Sequence, residues 1–178
     1  MAGTHLPLAV LLGTACAGTN ASEPAPAAAP QSCVEQVRAA GKTARRGEPT
    51  GPQDALPTVV LSIGSHDLVA EVADSPAERG AGLMFRDALA PHTAMVFVYP
   101  NAQPRSFWMR NTCLPLSIAY INAEGTILTL ADMTPLNERG VPSGRPAQYA
   151  LEVPQGWFAR KGISVGDRVV GLPPASPR

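Results

Sequence analysis

The chain has 178 residues, enough for one domain with a real core and at most a small appendage. Its 14 Lys and Arg balance 14 Asp and Glu and are interspersed along the chain, which leaves neither the basic footprint that nucleic acid demands nor a polybasic membrane patch. Nucleic acid is excluded as the expected partner.

Residues 1–16 read as an export signal. An apolar run from Leu6 to Leu12, too short to span a bilayer, precedes a string of small residues. No Lys or Arg stands before it, so His5 and the free α-amino group supply the positive character. Leu12-Gly13-Thr14-Ala15-Cys16 has the form of a lipobox with its leucine displaced by one position, making Cys16 the expected lipidated N-terminus. The alternative treats Ala15-Cys16-Ala17 as an A-x-A cleavage site and releases a soluble protein. Either way the protein is expected at a bacterial envelope, periplasmic or touching the membrane only through a lipid.

Residues 17–56 form an Ala- and Pro-rich tether followed by a short N-terminal segment, a composition that buries no core. Within it, Val34, Val37 and Ala40 follow Cys33 at helical spacing until Gly41 interrupts, which predicts a brief helix. Gly41-Lys42-Thr43 lacks the upstream glycine and strand of a P-loop, so nucleotide binding is rejected. After either cleavage, Cys33 and Cys113 remain as an even pair in an oxidising compartment without C-x-x-C spacing, and a structural disulfide is the expected outcome.

From Pro57 the chain turns to short β-rich runs: 58–63 and 67–73 around Gly64-Ser65-His66, then 94–99, 106–109, 117–122, 126–131, 148–153 and 167–172. Ser75-Pro76-Ala77-Glu78 is a capping box with proline at the first helical position, which predicts a short helix to about Leu83. Asn122-Ala123-Glu124-Gly125 reads as a hairpin turn. These eight strands and one or two short helices predict a mainly β, compact jelly-roll or barrel-like domain over residues 57–174, not a βαβ sheet.

Four stretches in order, ERGAGLMFR (78–86), FWMRNTCLPL (107–116), YALEVPQGW (149–157) and GDRV (166–169), resemble the DUF192 family, also called UPF0127. The resemblance implies a compact β jelly-roll or barrel-like domain, often exported, with no established biochemical activity. By position it singles out Arg79, Gly82, Leu83, Met84, Arg86, Phe107 to Thr112, Pro115, Leu116, Glu152 and Gly156. It also shows one departure: the family pattern continues Pro-Leu-Asp where this chain has Pro115-Leu116-Ser117, which weakens any role that needs that carboxylate.

Candidate chemistry is sparse. Gly162-Ile163-Ser164-Val165-Gly166 spells a nucleophile elbow, yet no histidine follows it and a turn into the last strand explains it better. His66 and His92 sit in separate turns, and the methionines lie among apolar neighbours, so neither a metal nor a cofactor is expected. In a strand, Phe107 and Met109 would face the core while Trp108 and Arg110 share the other face, an aromatic plate beside a cation. With Asn111, Arg79, Arg86 and Glu152 this makes the expected ligand site. Glu152, between Leu151 and Val153, is expected either on a solvated face or as the buried partner of an arginine. The resulting expectation is a domain that binds a small anionic or carbohydrate-like ligand or an envelope polymer. The alternatives are an envelope hydrolase or lyase that uses Glu152 with Arg86 or Arg110, and a structural or partner-binding lipoprotein.

Overall fold

The computed structural model describes residues 1, 3, 31–42 and 45–175. The chain divides into two units, residues 1–30 and 31–178, and all that follows concerns the second. Cys16, the export segment and most of the tether lie outside the described residues.

The brief helix forms as α1 (Cys33–Ala39): Ser32 Oγ accepts from Glu35 N while the Glu35 carboxylate accepts from Ser32 N, a reciprocal cap. The β-rich runs then appear as β1 (Thr58–Ile63) and β2 (His66–Ala73), joined at Gly64-Ser65 and paired from Thr58↔Glu71 to Ile63↔His66. Ser75 and Glu78 close their capping box on α2 (Pro76–Ala81). Next come β3 (Thr93–Gln103), β4 (Ser106–Phe107), β5 (Leu116–Ile121) and β6 (Ile127–Met133). The chain ends with β7 (Val141–Pro142), β8 (Ala147–Pro154), α3 (Trp157–Arg160) and β9 (Val169–Val170).

The fold is mainly β, as expected, with one strand and one helix more than the sequence announces among the described residues. Seven strands make a curled sheet in the order β6-β5-β8-β3-β2-β1-β9, while β4 and β7 pair separately. Curling brings the far ends together, because residues just before β9 bridge back to the start of β6 at Thr126↔Arg168 and Ile127 N donates to Asp167 O. One pair departs from the antiparallel pattern: β2 and β3 run parallel, from Val69↔Thr93 to Ala73↔Phe97. The capping box is the reason. It turns the chain out of β2 into α2, and a helical crossover returns it in the same direction, which a tight hairpin cannot do.

Alternation along the central strands splits the core in two. Leu61, Ala94, Val96, Val98, Leu151 and Val153 pack on one face with Trp157 and Phe158. Met95, Phe97, Ile118, Tyr120 and Ala150 pack on the other, covered by Leu83, Met109 and the partly buried Phe107. Both faces of β5 and β8 are therefore dry, and every residue of β5 is buried. Ser117 is the polar exception in β5; its Oγ donates to Asp132 and accepts from Gly156 N at 2.8 Å.

The Cys33–Cys113 disulfide is present, with Cα atoms 5.5 Å apart across 80 residues of chain. It fixes α1 against Met84 and Phe85. Closing so long a loop limits the unfolded chain by up to about 4.5 kcal/mol. Replacing both cysteines by serine should remove much of that in denaturant melts and raise hydrogen exchange in α1 first, while the exchange-protected centre of β5 and β8 survives.

Candidate functional site

The segment that prompted the ligand-site expectation does not stay a strand. Pairing of β4 with β7 stops at Phe107↔Val141. Beyond it Met109 N is taken by Asn137 O, Thr112 N returns to Met109 O, and Asn111 turns with φ of 54°. Strand alternation therefore ends at Phe107: Arg110 stays beside the Trp108 ring, but only Trp108 lines the cavity.

Trp108 stays 40% exposed at the rim of a cavity. Arg110 is buried at 5% and held by two carboxylates: its Nε and Nη2 donate to Glu48 at 2.9 and 3.0 Å, and its Nη1 donates to Glu138 at 2.9 Å. Glu138 also takes Lys42 Nζ at 2.6 Å. These cations hold the carboxyls of Glu48 and Glu138 below the usual glutamate value, Arg110 mainly for Glu48 and Lys42 mainly for Glu138. Arg110 and Arg45 also lie 6.0 and 5.6 Å from the Trp108 ring centre, bracing the indole. Arg86 is likewise engaged, donating in fork geometry to Glu71 at 2.6 and 2.7 Å. Burial alone would raise the Glu71 carboxyl, but the Arg86 contact and Leu56 N together bring it down. Asn111 is buried against Met84. Arg86, Arg110 and Asn111 do not line the cavity.

What the structure does bring together is Arg79, Trp108 and Glu152 around a cavity of about 190 Å³, walled by Phe97, Tyr99, Phe107, Leu83 and Met84. The turn after α2 forms one side. Gly82 occupies φ of 49°, and a Cβ there would stand 3.3 Å from the Phe97 ring, so the small residue lets this turn sit tightly over β3. The 106–112 segment forms the other side, and β8 supplies the floor.

Glu152 is that floor. It lies between Met95 and Ile118 on the neighbouring strands, 4% exposed, on the apolar face shared with Phe97 and Tyr120. Neither expected placement holds, since the carboxyl is not solvated and makes no hydrogen bond or ion pair with any described residue. Burial pushes it up to about 8, so it is neutral at pH 7. Tyr99 and Tyr120 are near enough for its charge to raise them too, after burial has done so. A neutral carboxyl facing a cavity can donate one hydrogen bond and accept others.

Sequence reasoning missed Tyr99 and Arg105. The Arg105 guanidinium stacks on the Tyr99 ring at 3.8 Å and that of Arg79 at 4.8 Å, beside the cavity mouth. Among the described residues no group of three or more His, Cys, Asp or Glu is arranged to hold a metal ion, and no helix is long and apolar enough to cross a membrane.

Residues 59–171 match the family model DUF192, described as an uncharacterized ACR. No curated protein matches the chain. Among solved structures, a chain from Sinorhizobium meliloti 1021 described as a candidate transcription regulator is 35% identical, with a TM-score of 0.65 over 67% of this chain and 97% of that one. A protein of unknown function from Novosphingobium aromaticivorans DSM 12444 is 33% identical, with a TM-score of 0.62 over 66% of this chain and 88% of that one.

The arrangement at Arg110 predicts a split response to truncation. Phe107→Ala and Met109→Ala should each cost about 2–5 kcal/mol through the cavities they leave. Arg110→Ala should also lower the melting temperature and raise exchange in residues 45–50, because it takes the guanidinium from Glu48 and leaves Glu138 to Lys42 and Arg45. Stability from Glu48 and Glu138 is present above the unfolded glutamate value of about 4.3 and is lost as pH falls through their lower folded values. Arg110→Ala should therefore flatten the acid limb of the melting profile. An Arg110→Ala protein that melts like wild type at every pH would show that these ion pairs hold nothing.

Proposed function

The chain belongs to the DUF192 family, and from that premise we propose that it is an exported, lipid-anchored binding domain that takes a small carbohydrate-like ligand into the cavity above Glu152. The observation that carries this reading is a carboxyl buried in an apolar layer, without a partner among the described residues, at the floor of a cavity. Such a group costs free energy in the empty protein and is supported by a ligand that completes its hydrogen bonds.

The walls suit a sugar ring. Trp108 is an exposed aromatic at the rim, and Phe97 and Phe107 add apolar lining. At about 190 Å³ the cavity is smaller than drug-sized sites, which run to about 300–1,000 Å³, so it fits one ring or the end of a polymer. The hydrolase alternative lacks support in this geometry. Glu152 is the one acidic residue among those lining the cavity, and the arginines once paired with it are committed to Glu71, Glu48 and Glu138. Export and anchoring rest on the sequence of residues 1–16, with Cys16 as the lipid carrier. Metabolic fatty-acid labelling should mark the wild type and spare Cys16→Ser.

Two measurements test the cavity. In calorimetric titrations, a panel of monosaccharides should include at least one that binds wild type, and Trp108→Ala and Glu152→Gln should weaken that binding by about tenfold or more. If no sugar in the panel binds, the reading fails. In the empty protein, the folded state keeps the Glu152 proton up to about pH 8, whereas the unfolded chain loses it near 4.3. Stability should thus fall as pH rises through that window, at about 1.4 kcal/mol per pH unit at most, and Glu152→Gln should remove the slope.

A further inference from the structure

Resting on the carbohydrate-like reading of the cavity, we propose that its ligand is a sugar acid, whose carboxylate is received at the mouth by Arg105 and Arg79 on the Tyr99 ring. Arg105 carries the argument. Its guanidinium is half-buried and donates only to neutral oxygens among the described residues: Asn101 O at 2.7 Å, Asn101 Oδ1 at 3.1 Å and Ala147 O at 3.4 Å. Burial, joined by the positive charge of Arg79, disfavours its charged form, with Tyr99 acting the other way. Arg105 thus meets no carboxylate among the described residues, and an incoming anion supplies one.

The geometry links this cation pair to the cavity. Arg79 and Tyr99 both line it, and Arg105, itself outside the lining, reaches it through its stack on the Tyr99 ring. Arg79 is steered by Asp74 O and by Val98 O, the latter at 2.9 Å, which sets its guanidinium over Tyr99. A planar carboxylate matches a guanidinium fork, and a ring attached to it would reach inward between Tyr99 and Trp108 toward Glu152. Because the floor carboxyl is neutral at pH 7, it does not repel that charge. The ligand class therefore combines a carboxylate at one end with hydroxyl groups on a single ring at the other.

The test compares D-glucose, D-glucuronate and acetate on wild type, Arg105→Gln and Arg105→Lys, with melting temperatures recorded for each variant. Wild type should bind glucuronate about tenfold tighter than glucose, the difference shrinking as salt rises, and should not bind acetate at the same concentration. Arg105→Gln should bring glucuronate down to the glucose affinity while leaving glucose unchanged, and Arg105→Lys should keep part of the preference. Equal binding of the two sugars by wild type, or a preference that survives in Arg105→Gln, overturns this inference while the sugar-binding reading stands. Acetate binding as tight as glucuronate also overturns it, since the site then takes a plain anion. Failure of every sugar to bind overturns the reading beneath it as well.

Discussion

A carboxyl group placed among Met95, Phe97 and Ile118 must either find a partner or give up its charge, because the layer around it offers little to replace water. Glu152 gives up its charge. Apolar residues occupy the neighbouring positions on β3 and β5, and a leucine or methionine at this position would pack there without that penalty. The acid instead lines the cavity, where the proposed binding role gives it a use. Strand β8 fixes the depth of the carboxyl, the turn after α2 and the 106–112 segment build walls around it, and the rest of the domain keeps those walls in place.

That support is electrostatic and covalent where packing is thin. The 106–112 segment has just two residues in a strand, so its position depends on Arg110 anchored to Glu48 and Glu138, and on Cys113 joined to Cys33. On the other side, the fork between Arg86 and Glu71 secures the end of the α2 turn to β2. Each wall is thus tied to a different strand or segment. Three of the arginines hold shape or steer charge by quite different means: Arg86 and Arg110 meet carboxylates, whereas Arg105 meets carbonyl and amide oxygens and an aromatic ring.

Local signals were readable in the sequence to the residue. Strand β1 begins at Thr58 and ends at Ile63 as the β-branched run implies, and the Ser75–Glu78 capping box closes as written. The disulfide followed from an even cysteine count. Elements too short to show a period were not readable, as with β7 and α3. Strand β3 runs past its expected end, through Pro100 to Gln103, because a register irregularity after Val98 lets the proline occupy a position that needs no donor. The candidate site was half legible for a physical reason. Glu48 and Glu138 reach Arg110 across 62 and 28 residues, and no periodicity encodes such a meeting. Alternation correctly set Glu152 opposite Leu151 and Val153, but it carries no information on whether the second face of a central strand is covered. Tyr99 and Arg105 meet only because β3 and the following segment fold back together.

The central claim is that Glu152 is a neutral, ligand-facing acid, and its side-chain carboxyl carbon reports on both properties. With ¹³C-labelled glutamate, assigned by comparison with Glu152→Gln, the Glu152 signal should titrate near pH 8 in the empty protein. It should also shift at pH 7 when D-glucuronate is added. A signal that titrates in the ordinary carboxylate range and ignores the sugar would contradict the account, because Glu152 would then be neither desolvated nor part of a binding site.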